Sequence, residues 1–294
     1  MNFDEFIEQI IIYIKNKMAE EVDIAVHEVI KNNGYRLTGL CIRPKNVMIC
    51  PTIYLDYYYE IYKTGESIEK IGNRIIECYI ENTVEDIDVE FFADYSKVSK
   101  KLLCKVINYD KNRELLKDIP YEKIYDLAIV VYCEVKEKTI GKATILIKNE
   151  HLYKWNVTRD EVISIAKDNT RQNMSIEVKS MAQVLQGIDE VPSGTLTALG
   201  NVPMYVVSSN DFLYGAVYMC FQENLNSLFD RLGEEYYIIP SSIHELIIIG
   251  ASKCGGLYEL GQMIQEVNST QLHISEVLSD HAYLFSKEQQ VLIF

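Results

Sequence analysis

The sequence predicts an α+β protein in two lobes, with largely antiparallel sheets and helices packed on one face. Three observations carry this. Short apolar runs rich in Tyr and Ile, such as Glu235–Pro240 and Leu246–Gly250, are bounded by turn residues and read as strands. Longer stretches such as Ser67–Asn82 carry apolar residues at helical spacing. Tight polar turns join successive strand-like runs, and hairpins of that kind pair strands antiparallel.

Residues 3–31 are expected to form one helical element. Phe3, Phe6, Ile10, Ile14 and Met18 recur at helical spacing, Ile24, Val26, Val29 and Ile30 continue it, and Asn32-Asn33-Gly34 ends it. A hairpin follows, Tyr35–Arg43 and Val47–Tyr54, turning at Pro44-Lys45-Asn46. Leu55, Tyr58, Tyr59 and Tyr62 share one face of a helix that Gly65 stops, and Ser67–Asn82 is a second helix. Asp88–Phe92 reads as extended, and Ser96–Asn108 and Lys111–Lys117 as helical. Pro120 marks the expected boundary between a helical N-terminal lobe with a β-hairpin, residues 1–118, and a C-terminal α+β lobe, residues 119–294.

A meander is expected next: Tyr125–Val135, a turn at Lys136-Glu137-Lys138, Thr139–Lys148, then His151–Trp155. Thr158-Arg159-Asp160-Glu161 is a capping box opening a helix to about Thr170, and Val178–Gln186 is a second helix. Gly187–Pro203 reads as a long loop. The remainder alternates strand Met204–Ser208, helix Phe212–Leu232, strands Glu235–Pro240 and Leu246–Gly250, helix Leu257–Asn268 and strand His281–Ser286, which is matched to Gln290–Phe294. That is the β-α-β-β-α-β, ferredoxin-like order.

Composition narrows the function. The 294 residues carry 43 acids against 29 bases, a net charge of −14. Phosphate neutralisation needs a basic stripe, so nucleic acid is not an expected partner. The densest basic stretch, Lys97–Lys105, reads as a solvated helix surface. No run approaches the ~20 apolar residues of a membrane span, and acids stand where a leader peptide would be basic. Seven cysteines without CxxC spacing suit free thiols in a reducing compartment. A cytoplasmic location is therefore expected. The 21 tyrosines supply rigid amphipathic contact area, although heavy use of Ile, Lys and Asn also fits codon bias.

Reactive side chains crowd at one place, Ser241-Ser242-Ile243-His244-Glu245, between two strands. Ser, His and an acid support nucleophilic hydrolysis when the base reaches the nucleophile and the acid orients the base. Along a strand, Ser242 and His244 would share a face while Glu245 points away, and no GxSxG elbow occurs. The plain alternative is a turn whose hydroxyls satisfy nearby backbone N–H groups. Asp280-His281, opening the last strand, is the best of the other acid–histidine pairs. No metal-ligand spacing, phosphate loop or GxGxxG is present, so no metal or cofactor is expected. Tyr57, Tyr58 and Tyr59 are the candidate contact surface for another protein.

The segments NGYRLTGLCIR (33–43), PTIYLDYYYEIYKTG (51–65), VEFFADY (89–95), INYDKNRELL (107–116), DLAIVVYCEV (126–135), GKATILIKNEHLYKW (141–155), MYVVSS (204–209), YYIIPSSIHE (236–245) and LSDHAYLFS (278–286) span nearly the whole chain. In them it resembles an uncharacterised domain-of-unknown-function family of clostridial-type anaerobic bacteria. The resemblance implies a bacterial cytoplasmic protein of one full-length unit with two lobes, and it transfers no activity, cofactor or site residue. The expected function is a non-enzymatic protein-binding or interaction module. The alternative is a hydrolase or transferase using Ser242, His244 and Glu245, completed by Asp280 and His281.

Overall fold

A computed structural model of the chain describes residues 1–18, 22–44, 52–82, 89–137, 141–186, 204–288 and 291–293. The expected turn at Lys45-Asn46, the strand residues before Thr52 and the loop after Gln186 lie outside them. The architecture is α+β, and every described strand pair whose register is resolved is antiparallel. The chain divides into two compact units. One comprises Met1–Lys31, Tyr35–Val98 and Glu134–Thr144, the other Asn32–Gly34, Ser99–Cys133 and Ile145–Phe294. Residue 118, where the sequence suggested a boundary, falls inside the second unit, because strands on either side of it pair with each other.

In the first unit, helix α1 (Phe3–Lys17) opens on a reciprocal cap. The Asn2 side chain accepts the Glu5 N–H at 2.9 Å, and the Glu5 carboxylate accepts the Asn2 N–H at 3.0 Å. Phe6, Ile10 and Ile14 are its buried stripe. The helix stops there: Val22–Ile30 is strand β1, paired with β2 (Arg36–Pro44) in the register Ile24↔Ile42 and Val26↔Leu40. The β-branched residues at 22, 24 and 26 alternate with period 2, the pattern of a pleated strand rather than a helix. Asn33 and Gly34, at φ 59° and 69°, form the turn between β1 and β2 instead of a helix end. Strand β3 (Thr52–Tyr54) completes a three-stranded sheet. Helices α2 (Leu55–Lys63) and α3 (Ile68–Asn82) add Leu55, Ile71, Ile75 and Tyr79 to a core with Leu40 and Ile42. Val89–Ala93, read as extended, is a helical turn, α4, and Tyr95–Val98 is another, α5.

The lysine-rich stretch read as helix keeps only its start, Lys97 and Val98, in α5; a 3-10 turn (Ser99–Lys101) and strand β4 (Leu102–Asn108) follow. Leu102, Cys104 and Val106 alternate into the interior, so period 2 wins over the flanking lysines. Strands β5 (Tyr121–Ile124), β6 (Leu127–Glu137) and β7 (Gly141–Leu146) complete a four-stranded sheet in which β6 is central and β5 is an edge. His151–Trp155 belongs to helix α6 (Asn149–Trp155), whose Leu152 and Trp155 bury at helical spacing. Helix α7 (Arg159–Asn173) starts at Thr158, whose hydroxyl accepts the Glu161 N–H at 3.2 Å.

A six-stranded sheet runs β13-β12-β10-β11-β9-β8. Its strands are β8 (Ile176–Ser180), β9 (Met204–Ser209), β10 (Tyr236–Ile239), β11 (Glu245–Gly250), β12 (Tyr283–Ser286) and β13 (Val291–Ile293). The expected helix over 178–186 is split between β8 and a short helix α8 (Met181–Leu185). The reciprocal Ser180–Gln183 cap marks the change. Helix α9 (Gln222–Leu232) ends at Gly233, whose φ of 74° favours glycine. Its expected start at Phe212 is replaced by a tight turn and a 3-10 stretch, Gly215–Cys220. Helix α10 (Leu257–Thr270) follows β11. The chain order is thus the expected β-α-β-β-α-β. In space β12 pairs with β10, and the outer edge of β9 is taken by β8.

One core serves both sheets of the second unit, with Val106, Leu127, Val207, Ile238, Leu246, Ile248 and Phe285 in contact. A polar clasp closes its rim. Asn112, 1% exposed, accepts the Asn33 N–H at 2.8 Å and donates to the side chains of Asn32 and Asn33 and to the Asn108 carbonyl. Asn33 in turn donates to the carbonyls of Ile274 and Val277. Asn112→Ala strands these buried groups, and urea unfolding should show a loss of about 2–3 kcal/mol.

Candidate functional site

The Ser241–Glu245 segment is the loop of the β10–β11 hairpin, in the register Ile239↔Ile247, at the centre of the six-stranded sheet. It is not a free tip. Ser242 bridges to Val277, the Ile243 N–H donates to the Glu276 carbonyl at 2.9 Å, and the Leu278 N–H to the Ser241 carbonyl at 2.8 Å. Ser242 is 4% exposed, and its hydroxyl accepts the backbone N–H of His244 at 3.0 Å, not a ring nitrogen. The half-buried His244 accepts the Tyr214 N–H on Nδ1 at 3.3 Å. Its ring stacks on Tyr214, centroids 5.5 Å apart at 16°, and the Lys105 ammonium lies 4.2 Å from the same phenol ring.

This arrangement holds a tight turn. Phe212 and Tyr214 both have positive φ, 53° and 59°, uncommon for residues with a Cβ. The Ser209 hydroxyl accepts the Leu213 N–H at 2.8 Å and donates to the Leu213 carbonyl at 2.9 Å. A Cβ on Gly215 would lie 2.6 Å from both the His244 carbonyl oxygen and the Ser209 nitrogen. Burial, and then Lys105, hold the His244 pKa below its ordinary 6.5 against the pull of Glu276. Burial, and then the Glu276 carboxylate, push Glu245 above its ordinary 4.5. The Tyr214 N–H bond uses Nδ1 as acceptor, which leaves Nε2 to carry the proton of the neutral ring.

Asp280 and His281 part company. Asp280 accepts Lys111 Nζ at 2.6 Å and Asn268 Nδ2 at 2.9 Å. Burial opposes its ionisation, but these two bonds outweigh it and hold the carboxyl below the ordinary carboxylate value. His281 turns to Asp126, with Nε2 3.4 Å from Oδ2, and places Nδ1 3.3 Å from the Ser279 hydroxyl. Tyr283 donates to the other Asp126 oxygen at 2.5 Å. Ser279, with no exposed surface, is closed to an external substrate. Asp126 was not singled out in the sequence. Its only local signal is that it is a lone acid opening the otherwise apolar run Leu127–Val131.

The three tyrosines differ. Tyr57 is 66% exposed, with its ring edge-on to Tyr58 at 5.3 Å. Tyr58 and Tyr59 pack on the first unit's core, Tyr59 against Phe3 and Phe6 at 4.9 and 5.3 Å. Burial, with the Cys78 thiol beside it, pushes the Tyr58 phenol up to about 12.

A feature that sequence reasoning missed lies between β5 and α7. A polar cavity of about 600 Å³ is lined by Tyr121, Glu122 and Lys123 on one side and Arg159, Asp160, Ile163, Ser164, Lys167 and Arg171 on the other. Lys167 spans it to the Glu122 carboxylate at 2.9 and 3.1 Å. Residues 159, 163, 167 and 171 recur every four positions, so one helix face carries three cations. That spacing is legible in the sequence; the strand it faces is not. Among the described residues no group of three or more His, Cys, Asp or Glu side chains is placed to hold a metal ion, and no helix is long and apolar enough to cross a membrane.

The chain matches the model of a family of unknown function, DUF5688, over residues 3–287, and it belongs to that family. Nothing among curated proteins or among solved structures matches it.

Two outcomes test the geometry of the hairpin loop. The raised Glu245 pKa means that ionising this group costs the folded state more than the unfolded chain. The stability it contributes is whole below pH 4.5 and lost as pH rises through the raised folded value. Glu245→Gln should therefore melt higher than the natural protein near neutral pH, with the difference vanishing under acid. Gly215→Ala drives a methyl into backbone and should cost about 1–3 kcal/mol in urea unfolding.

Proposed function

We propose that this member of the DUF5688 family is a non-enzymatic binding module whose partner is another protein. The observation that carries the reading is how the reactive groups of the hairpin loop are used. Ser242 satisfies a backbone N–H, His244 satisfies another, and Asp280 is shared between Lys111 and Asn268. Each of these polar groups holds a segment in place. No serine–imidazole pair forms within the loop. An open polar cavity in the same unit offers a contact surface that needs no chemistry. The six described cysteines are outside any disulfide, which suits the cytoplasm of a bacterium.

One observation favours a hydrolase or transferase at the loop instead. Ser242, His244 and Glu245 are carried together on the β10–β11 hairpin, the side-chain types that nucleophilic hydrolysis uses. A pull-down from the native organism separates the two readings, run with the natural protein and a Ser242→Ala/His244→Ala variant. The binding module keeps a stoichiometric protein partner in both. Loss in the variant of a co-purifying small molecule, with no protein partner in either, would overturn it in favour of the enzyme.

A further inference from the structure

We propose that the cavity between β5 and α7 is the docking groove of this binding module and that it receives an extended, acidic peptide segment of the partner. The inference rests on the binding reading above and adds the place and the chemistry of the contact.

The shape of the groove comes first. Successive side chains of a strand point to opposite faces of its sheet. Tyr121, Glu122 and Lys123 nonetheless all line the cavity, so it runs along the edge of β5 and not over one face. That edge is open: β5 ends its sheet, and the described residues pair it on one side alone, with β6. On the far wall, Arg159 and Arg171 are twelve positions apart on α7, about 18 Å along the axis. An extended chain rises about 3.3 Å per residue, so five or so residues match that length. An unpaired strand edge facing a long groove is the setting in which a peptide adds as a further strand.

Charge selects the peptide. Four cations line the groove, Lys123, Arg159, Lys167 and Arg171, against the carboxylates of Glu122 and Asp160. Among the lining residues the four cations exceed the two carboxylates by two, whereas the chain as a whole carries −14. At physiological salt, charges more than about 8 Å away are largely screened, and the local groups decide what binds. The cations already hold carboxylates: Lys167 holds Glu122, and Arg171 holds Asp168 and Glu223 at 3.0 and 2.7 Å. An incoming Asp or Glu side chain repeats contacts the groove makes internally. The spacing fits as well. Lys167 and Arg171 are about 6 Å apart along the helix, and alternate side chains of an extended peptide are about 6.6 Å apart.

The probe is a fluorescein-labelled hexapeptide alternating Glu and Val, with a Lys and Val peptide as control, read by anisotropy on the full chain. The acidic peptide is expected to bind and the basic one not, and binding should weaken as salt rises. Lys123→Glu and Arg159→Glu, each with an unchanged melting temperature, should each weaken binding by about tenfold. Two results would overturn the groove assignment: no acidic peptide binding, or binding that ignores both charge reversals. A concentration-dependent dimer abolished by the same substitutions would assign the groove to a second copy and also overturn it. If a native protein partner is captured equally by the natural chain and both variants, the binding reading stands and the groove falls. If neither peptide nor partner is bound, both fall.

Discussion

The buried phenol of Tyr283 is the constraint on which the second unit depends. Its side chain has no exposed surface, so its hydroxyl must find a partner inside the protein. The partner is Asp126, 157 positions away, at the turn between β5 and β6. Burial first, and then the carboxylate itself, drive the phenol pKa upward, so Tyr283 remains a donor. One hydrogen bond thereby ties a strand of the six-stranded sheet to a turn of the four-stranded sheet across their shared core. The left-handed Tyr125, at φ 56°, sits next to Asp126 in that turn. His281 closes the other side of the carboxylate.

The same economy runs through the rest of the unit. Polar side chains that look reactive in the sequence are used to hold irregular backbone. Asn112 and Asn33 clasp the rim, Ser209 and His244 hold a turn with two left-handed residues, and Ser242 closes the hairpin loop. A buried N–H or C=O without a partner costs about 1–3 kcal/mol, and irregular segments supply none from regular secondary structure. Side chains therefore take over. Crowded Ser, His and acid residues are ambiguous for this reason: loop-holding and catalysis draw on the same donors and acceptors.

Much of the fold was legible locally. Helices at Phe3–Lys17, Ile68–Asn82 and Leu257–Thr270 follow from apolar spacing, and the Thr158 cap marks the start of α7 where the sequence placed it. The hairpin around Ser241–Glu245 stands where expected. Misreadings cluster where two periods compete. Val22–Ile30 and Leu102–Asn108 carry apolar residues that fit either a helix face or a strand, and pairing with β2 and β6 decided for strand. The candidate groove was half legible: the four-residue spacing along α7 is a local pattern, while Lys123 and Glu122 reach it only through the fold.

By itself, then, the sequence determined the fold class, the starts of α1 and α7, the stop of α9 at Gly233, the position of the central hairpin and an acidic composition. These depend on interactions within a few residues, such as caps, side-chain periods and glycine turns. Tertiary structure alone decided that β12 lies beside β10, that His281 faces Asp126 while Asp280 faces Lys111, and that the hairpin loop is bridged by residues 276–279. Those choices rest on which buried surfaces meet and on the need to satisfy every polar group trapped between them, and no local window of residues contains that information.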